Sequence, residues 1–416
     1  MNIYIETYGC TANKSDERLL LSLLLEKGHQ IVSSITDADV LILLTCTVIG
    51  TTEQRMLSRL EVFHKTHKKI IVTGCMPAVQ KNLILSIAPH ALLLPSQSIM
   101  YITDIVDGDR PAFVHSKKTS FPRYYDSTIA PLLIAEGCRL ACSYCITHFA
   151  RGSLRSFPVE EIMTDVRSAL SQGCKEIQLT AQDTASYGLD TGTNLGDLLD
   201  TITSLDGSFR IRVGMMNPAT VEKNLRSILK SFQHPNIYKF LHLPVQSGDD
   251  DILQKMNRGY QVKEFTSLVH RFRKTIPTLT FSTDVIIGFP TETEEQFDRT
   301  LQLLKKIKPD IVNVTRFSAR PLTAAKKMKG RIPTHIVKTR STVAADLCSR
   351  LSFEKNKQHL GKDYSVLVTE PGKRNSVTAR TDSYKQVVLT ESVPIGSVVQ
   401  VRITDVTSTY LFGKLI

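Results

Sequence analysis

The sequence predicts an α/β protein in three parts: an N-terminal domain with a parallel sheet, a central partial (β/α)6 barrel and a small C-terminal β-barrel. The chain has 416 residues, a length that exceeds what one ordinary core accommodates. Hydrophobic residues make up 42% of it, enough to form such cores. Strand-like and helix-like segments alternate over most of the length, whereas the final segments are all strand-like. We place the domains at residues 1–112, 129–357 and 358–416, with a linker at 113–128.

The N-terminal domain shows the alternation first. Apolar runs of strand length occupy residues 2–6, 40–44 and 70–73, and residues 15–26 and 52–64 between them have helical spacing. Strands joined by helices form parallel sheets with helices on their faces. This order therefore predicts a parallel sheet.

The middle of the chain repeats the pattern six times. Amphipathic segments such as 158–172 and 294–307 alternate with strand candidates. These candidates are residues 132–135, 176–180, 210–214, 239–243, 281–287 and 311–315. Six such units favour a partial (β/α)6 barrel. The first strand is not followed by G-x-G-x-x-G, which argues against a dinucleotide-binding fold.

The C-terminal part contains only short segments rich in Val and Thr, at residues 364–369, 386–389, 398–403 and 409–415. Turn residues such as Pro394 separate them, which indicates a small all-β barrel. The segment just before it, residues 321–360, is predicted to be largely helical. It carries nine Lys or Arg against two acidic residues, a balance of 9 − 2 = +7.

The net charge of the chain is +12. Such a balance suits a nucleic-acid partner, because Lys and Arg release the counterions that phosphates condense. A solvated helix surface is the alternative for the basic segment. No apolar run is long enough to span a membrane, and the N-terminus has the pattern of a strand rather than a signal peptide. We therefore expect a cytoplasmic protein without a membrane partner.

Cys138, Cys142 and Cys145 form a C-x3-C-x2-C motif directly after the first strand of the middle domain. Active sites of barrels gather at the carboxyl ends of strands. Three thiolates can bind three irons of a four-iron cluster and leave the fourth iron open for chemistry. Zinc sites usually need four ligands, and His148 is the nearest fourth candidate. A zinc knuckle and three buried thiols remain the alternatives.

Cys10, Cys46 and Cys75 each follow a predicted strand of the N-terminal domain. Each alone is typical of a small buried hydrophobic residue. The carboxyl ends of parallel strands share one edge of the sheet, so together they predict a second three-cysteine cluster. Cys174 and Cys348 lack such a setting, and we interpret both as structural.

These motifs resemble those of the radical S-adenosylmethionine methylthiotransferase family, over nearly the whole chain. ETYGC at residues 6–10, LPVQSG at 243–248 and the segment 283–293 are similar to family signatures. Residues 45–53 and 145–152 are most similar to the archaeal and eukaryotic threonylcarbamoyladenosine tRNA branch. The resemblance implies a radical-SAM barrel in the middle and a TRAM-like RNA-binding β-barrel at the end.

The resemblance also implies an activity. Enzymes of that branch convert N6-threonylcarbamoyladenosine at position 37 of tRNA, beside the anticodon, to its 2-methylthio derivative. They use two 4Fe–4S clusters and S-adenosylmethionine, of which one molecule gives a methyl group and a second gives the 5′-deoxyadenosyl radical. The implied partners are a tRNA anticodon loop, an electron donor protein and a sulfur donor.

Candidate cofactor-binding residues are Tyr144, beside the adenine, and Gln182, Gln246 and Asp284, at strand ends of the barrel. Polar residues at strand ends also satisfy backbone groups, which is the alternative for these three. We interpret His242, inside an apolar run, as a core histidine. Candidate RNA contacts in the tail are Tyr364, Tyr384, Tyr410, Phe412, Lys373, Arg374 and Arg380.

Two other functions fit the same motifs. A related methylthiotransferase would act on isopentenyladenosine in tRNA or on an aspartate of a ribosomal protein, although the positive charge favours RNA. A protein of another class would bind RNA and an iron–sulfur cluster without catalysis. It would not cleave S-adenosylmethionine when reduced.

Overall fold

The computed structural model describes residues 1–109, 118, 121 and 123–416. Of the predicted linker, residues 113–117, 119, 120 and 122 lie outside the described residues. The α/β class and the three predicted parts are confirmed. No helix in the described ranges combines the length and apolar composition needed to cross a membrane.

The N-terminal domain is a five-stranded parallel sheet with helices on both faces, in the order β2-β1-β3-β4-β5. Its strands are β1 Asn2–Thr7, β2 Gln30–Val32, β3 Val40–Thr45, β4 Lys69–Gly74 and β5 Leu92–Pro95. Its helices are α1 Thr11–Glu26, α2 Gly50–His64, α3 Met76–Val79, α4 Lys81–Ile87 and α5 Ile102–Asp107. Every residue of β3 is buried, because both faces of this central strand are covered. The edge strands β2 and β5 were not predicted.

The middle domain contains the six predicted parallel strands. They form two three-stranded sheets, β6-β9-β10 and β11-β12-β13. A parallel bridge links Ile211 of β10 with Ile237, which lies just before β11. The strands are β6 Ile129–Leu133, β9 Glu176–Thr180, β10 Arg210–Val213, β11 Phe240–His242, β12 Thr280–Ile287 and β13 Ile311–Arg316. A short antiparallel pair, β7 Ala135–Glu136 and β8 Arg155–Ser156, encloses the cysteine motif.

The helices of this domain surround the strands and share one large apolar core with them. They are α6 Thr147–Arg151, α7 Val159–Ser171, α8 Leu195–Thr203, α9 Pro218–Lys223, α10 Leu225–Ser231, α11 Asp250–Lys255, α12 Val262–Thr275, α13 Glu294–Ile307, α14 Ala324–Lys327 and α15 Thr334–Lys357. Helix α13 begins with a capping box in which Thr293 and Gln296 exchange hydrogen bonds. Helix α15 lies beside β13 and carries much of the basic segment.

The C-terminal part is a closed five-stranded barrel in the order β14-β15-β16-β18-β17. Its strands are β14 Asp363–Pro371, β15 Val377–Thr381, β16 Gln386–Leu389, β17 Val398–Val406 and β18 Leu411–Leu415. Closure pairs every strand on both sides and leaves no free sheet edge. Strand β15 is the element that the sequence did not predict.

The turn between β15 and β16 docks onto the lower, amino-terminal end of the central barrel. Tyr384 in this turn has a φ of 65° and places its ring 4.8 Å from that of Tyr238 and 5.1 Å from that of Phe240, centroid to centroid. Its hydroxyl donates to Oε1 of the fully buried Glu176 at 2.9 Å. The prediction that Tyr384 contacts RNA is therefore wrong, because the ring is committed to the interface between two domains.

Candidate metal and cofactor site

The first cysteine trio stands on one edge of the N-terminal sheet, as predicted. Cys10, Cys46 and Cys75 follow the adjacent strands β1, β3 and β4. The carbonyl oxygen of Thr45 accepts the Cys75 N–H and the Asn13 side-chain amide, both at 2.9 Å. The same Asn13 amide donates to Tyr8 O at 2.6 Å. These hydrogen bonds tie the three cysteine-bearing loops together.

Two glycines allow this close approach. Gly9 and Gly74 have φ values of 111° and 90°, which favour glycine. A Cβ atom at Gly9 would lie 2.7 Å from Cys46 Cβ, and one at Gly74 would lie 2.4 Å from Thr45 O. No other residue fits without displacing a cysteine loop.

The second trio lies in the loop between β7 and α6. The Cys138 N–H donates to Gly152 O at 3.0 Å, and the Cys145 N–H donates to Cys142 O at 3.1 Å. Ser143 N donates to Met256 O at 3.0 Å and anchors the loop on the residues that follow α11. All three cysteines are partly exposed, so the loop does not bury them in an apolar core.

The donor set fits iron–sulfur clusters. Burial raises the pKa of Cys46 and of Cys138 to about 12, and neighbouring thiols of the same trio add to both shifts. Metal binding must therefore displace protons from these groups. Among the described residues, no three Cys, His, Asp or Glu side chains are arranged to hold one metal ion. A cluster does not require this, because each cysteine binds a different iron.

Arg258 is a site residue that the sequence did not indicate. It is buried, and its Nη1 donates to Cys142 Sγ at 3.3 Å and contacts the Tyr144 hydroxyl at 3.3 Å. The Tyr144 ring packs against the apolar cluster that contains Met256 and Phe289. The position of Tyr144 beside an adenine stays a prediction.

The other cofactor candidates occupy the upper part of the barrel. Gln182 Oε1 accepts from Gly137 N at 2.7 Å, next to Cys138. Gln246 has a φ of 74°, and its buried Oε1 has no hydrogen-bond partner among the described residues. A strained residue with an unsatisfied acceptor is typical of a binding site.

Asp284 lies in the middle of β12 and not at its end, which corrects the predicted placement. Its Oδ1 accepts from Asn313 Nδ2 at 2.7 Å and lies 2.9 Å from His242 Nε2. The interpretation of His242 as a core residue is therefore wrong. Its ring is partly exposed and paired with Asp284, which the alternation of side chains along β11 and β12 places on the same face.

The remaining cysteines lie in the barrel core, and His148 contacts the backbone of the cysteine loop. Cys174 and Cys348 are buried members of the barrel core, and burial raises the pKa of each to about 11. Nδ1 of the exposed His148 lies 2.9 Å from Cys138 O, a backbone contact that occupies that ring nitrogen.

Most of the predicted basic segment is exposed. Seven of its nine Lys and Arg side chains face solvent: Lys326, Lys327, Lys329, Arg331, Lys338, Arg350 and Lys357. Arg340 is an exception, since it is buried and paired with Glu292 and Glu294. In the tail, Lys373 and Arg374 are exposed, whereas Arg380 stacks on Tyr384 at 4.7 Å.

Three family models match this chain. They are described as Uncharacterized protein family UPF0004, at residues 2–95, Radical SAM superfamily, at residues 132–304, and TRAM domain, at residues 357–416. Each model covers one of the three parts of the fold.

Curated relatives match over the whole length. A probable threonylcarbamoyladenosine tRNA methylthiotransferase of Pyrococcus abyssi is 42% identical over 427 residues, with 100% of this chain and 99% of that protein covered. A threonylcarbamoyladenosine tRNA methylthiotransferase of Drosophila pseudoobscura pseudoobscura is 34% identical, with 100% and 77% covered. Among solved structures, the radical S-adenosylmethionine methyltransferase TsrM from Kitasatospora setae, with cobalamin and a 4Fe–4S cluster bound, has a TM-score of 0.58 at 11% identity. That match covers 78% of this chain and 76% of TsrM and shows a shared fold.

Proposed function

This chain belongs to the family of threonylcarbamoyladenosine tRNA methylthiotransferases, and we propose that it converts N6-threonylcarbamoyladenosine at position 37 of tRNA to its 2-methylthio derivative. The observation that carries the proposal is the pairing of two cysteine trios across one domain interface. Arg151, six residues after Cys145 and at the end of α6, donates to Cys75 of the N-terminal trio. This contact across the interface supports the proposal that cofactors bound at both trios act on one substrate.

The reaction needs a radical because no side chain removes the proton of an adenine C–H bond at neutral pH. When bound, an iron–sulfur cluster and S-adenosylmethionine supply that radical. Cys138, Cys142 and Cys145 would hold three irons, and the fourth iron would remain open to the cofactor. Tyr144, Gln182, Gln246 and Asp284 are the proposed cofactor-binding residues. Gln246 has the strongest support, because a cofactor amino or hydroxyl group would satisfy its unpartnered Oε1.

The second part of the proposal is a second 4Fe–4S cluster, on Cys10, Cys46 and Cys75. Cys10 is the exposed member and precedes α1 as its N-cap. This side of the trio is where sulfur would be delivered and methylated. We propose that the cell supplies an external sulfur donor and an electron donor protein, and that the enzyme acts in the cytoplasm.

The tRNA anticodon loop would bind to the C-terminal barrel and α15. The exposed Lys and Arg side chains of the basic segment support phosphate contacts, and Lys373 and Arg374 extend that charge onto the tail. Phe412 lies on β18 and Tyr410 directly precedes that strand, and their ring centroids are 5.2 Å apart. Both are partly exposed and remain the proposed stacking residues.

Nucleoside analysis of tRNA from a deletion strain tests the substrate. We expect the 2-methylthio derivative to disappear and N6-threonylcarbamoyladenosine to accumulate. The intact gene should restore the modification, and so should the control Cys348→Ala, whereas Cys142→Ala should not. Persistence of the derivative contradicts the proposal. Loss of methylthiolated isopentenyladenosine instead would identify the related substrate.

Purified protein tests the cofactors. Under anaerobic reduction, we expect 5′-deoxyadenosine from S-adenosylmethionine in the wild type and none in Cys142→Ala. A non-catalytic RNA-binding protein would give none in either. Cys46→Ala and Cys142→Ala should each lose about half of the bound iron, because each trio holds its own cluster. If either variant lost all of it, the two sites would not be independent.

A further inference from the structure

A buried charged cluster lies where the N-terminal domain meets the barrel. Asp16 on α1, Lys118, Glu136 on β7 and Arg151 at the end of α6 are each no more than 2% exposed. Lys118 Nζ lies 2.8 Å from both Asp16 and Glu136, and Arg151 Nη1 lies 2.8 Å from Asp16 and 2.9 Å from Glu136. Two positive and two negative charges balance. A buried ionic cluster is weak evidence for stability, so its retention calls for another role.

Arg151 extends from this cluster to the first cysteine trio. Its Nε lies 3.4 Å from Cys75 Sγ, and its Nη2 donates to Asn13 Oδ1 at 2.6 Å. Asn13 is the residue whose amide joins the loops of Cys10 and Cys46 through Tyr8 O and Thr45 O. The planar guanidinium therefore contacts one cysteine directly and the other two loops through a single side chain.

The same short segment also holds the second trio. Gly152, the next residue along the chain, accepts the N–H of Cys138 at 3.0 Å. Gly137 packs so closely there that a Cβ atom would lie 2.0 Å from Ser153 O. Residues 151–153 thus touch the barrel loop through the backbone and the N-terminal trio through a side chain, and a rigid connection between the two trios results.

We propose that Arg151 is a positioning residue that fixes Cys75 and raises the reduction potential of the cluster bound by the N-terminal trio. This inference rests on the proposed second cluster. A donor to a ligand sulfur stabilises the reduced, more negative form, which raises the potential. Arg258 has the equivalent contact with Cys142 in the barrel trio, so each trio has its own buried guanidinium.

The test uses the full chain with Cys138, Cys142 and Cys145 replaced by Ala, so that only the N-terminal trio binds a cluster. Redox titration followed by electron paramagnetic resonance gives its midpoint potential, and iron analysis gives its occupancy. Arg151→Lys keeps the charge balance but loses the planar guanidinium that contacts four partners, namely Asp16, Glu136, Cys75 and Asn13. We expect iron to be retained and reduction to become roughly tenfold less favourable, which is about 59 mV more negative for one electron.

Arg59→Lys is the matched control. Arg59 lies in the N-terminal domain, which carries the cluster under test, and its guanidinium pairs with Glu6 at 2.8 Å. Its potential should equal that of the parent. An unchanged potential and iron content in Arg151→Lys would overturn the inference and leave the second cluster intact. A parent without iron would instead overturn the second cluster, and the inference with it.

A folding defect in Arg151→Lys would not end the test. The double variant Arg151→Gln with Glu136→Gln removes one charge of each sign and so keeps the cluster neutral. Circular dichroism reports whether it folds. A lower potential, or loss of iron from a folded double variant, supports the positioning role. A folded double variant with the parent's iron content and potential refutes it.

Discussion

Replacement of Tyr384 should loosen the C-terminal barrel from the central barrel. Tyr384→Phe removes the hydroxyl that donates to Glu176 Oε1 at 2.9 Å and accepts from Gln178 Nε2 at 3.2 Å. A hydrogen bond to a carboxyl group contributes about 1.5–3 kcal/mol. Because Gln178 still donates to Glu176 at 2.7 Å, we expect the lower part of that range, about 1.5 kcal/mol. Tyr384→Ala also removes a ring that contacts two other rings, and this raises the cost to about 3–5 kcal/mol.

Hydrogen exchange measured by mass spectrometry reports the free energy of local opening at this interface. Global unfolding does not, because a multidomain chain does not unfold in one two-state step. Since each 1.4 kcal/mol is a factor of about ten, amides of β9 and of the β15–β16 turn should exchange about tenfold faster in Tyr384→Phe. In Tyr384→Ala they should exchange at least about a hundredfold faster. Tyr410→Phe, in the same barrel, should leave both segments unchanged. Equal exchange in all three variants would refute the docking role of Tyr384.

Three other expectations follow from single positions. Gly74→Ala should abolish iron at the N-terminal trio, while Gly28→Ala, with a φ of 81° but nothing within 4 Å, should retain it; iron analysis separates them. Burial lowers the pKa of His359 to about 4. Between about pH 6.5 and 4 the unfolded chain therefore binds more protons than the folded one, so the free energy of unfolding should fall as the pH drops through this range. The loss is at most about 3 kcal/mol after solvent screening. His359→Gln should flatten this pH profile, which chemical denaturation measures. The double variant Lys373→Ala with Arg374→Ala should lower the slope of the logarithm of the tRNA association constant against the logarithm of the salt concentration by about 1.4 in magnitude, as expected for two lost contacts with a single-stranded loop. An unchanged slope would exclude these two residues from the interface.

The sequence predicted those features that depend on local periodicity and on the geometry of parallel sheets. The six barrel strands were located because apolar runs alternate with amphipathic helices. The meeting of Cys10, Cys46 and Cys75 followed from their positions after parallel strands, although gaps of 36 and 29 residues separate them. The short strands β2 and β5 were missed, because three or four residues carry too little pattern to be distinguished from a loop.

The contacts that involve arginine and tyrosine could not be predicted in the same way. Arg151, Arg258 and Arg340 are ordinary basic residues in sequence, and only the tertiary fold shows that each is buried against acidic groups or a thiol. Nothing in the sequence around Tyr384 indicates the surface on which the turn between β15 and β16 docks. Long polar side chains acquire their roles from elements distant in the chain, and single-sequence patterns do not contain that information.

The buried charges also bear on how the substrate would reach the two proposed clusters. Separation of the two domains would leave Asp16 on α1 without Arg151 of the barrel, and breaking a buried ion pair costs about 3–5 kcal/mol. Domain opening is therefore an expensive route for a large RNA. Cys10 is exposed and the three barrel cysteines are partly exposed, whereas Cys46 and Cys75 are buried. We propose that an adenine approaches from the side of the exposed Cys10 and the partly exposed barrel cysteines, because that route leaves the buried ion pair between Asp16 and Arg151 intact.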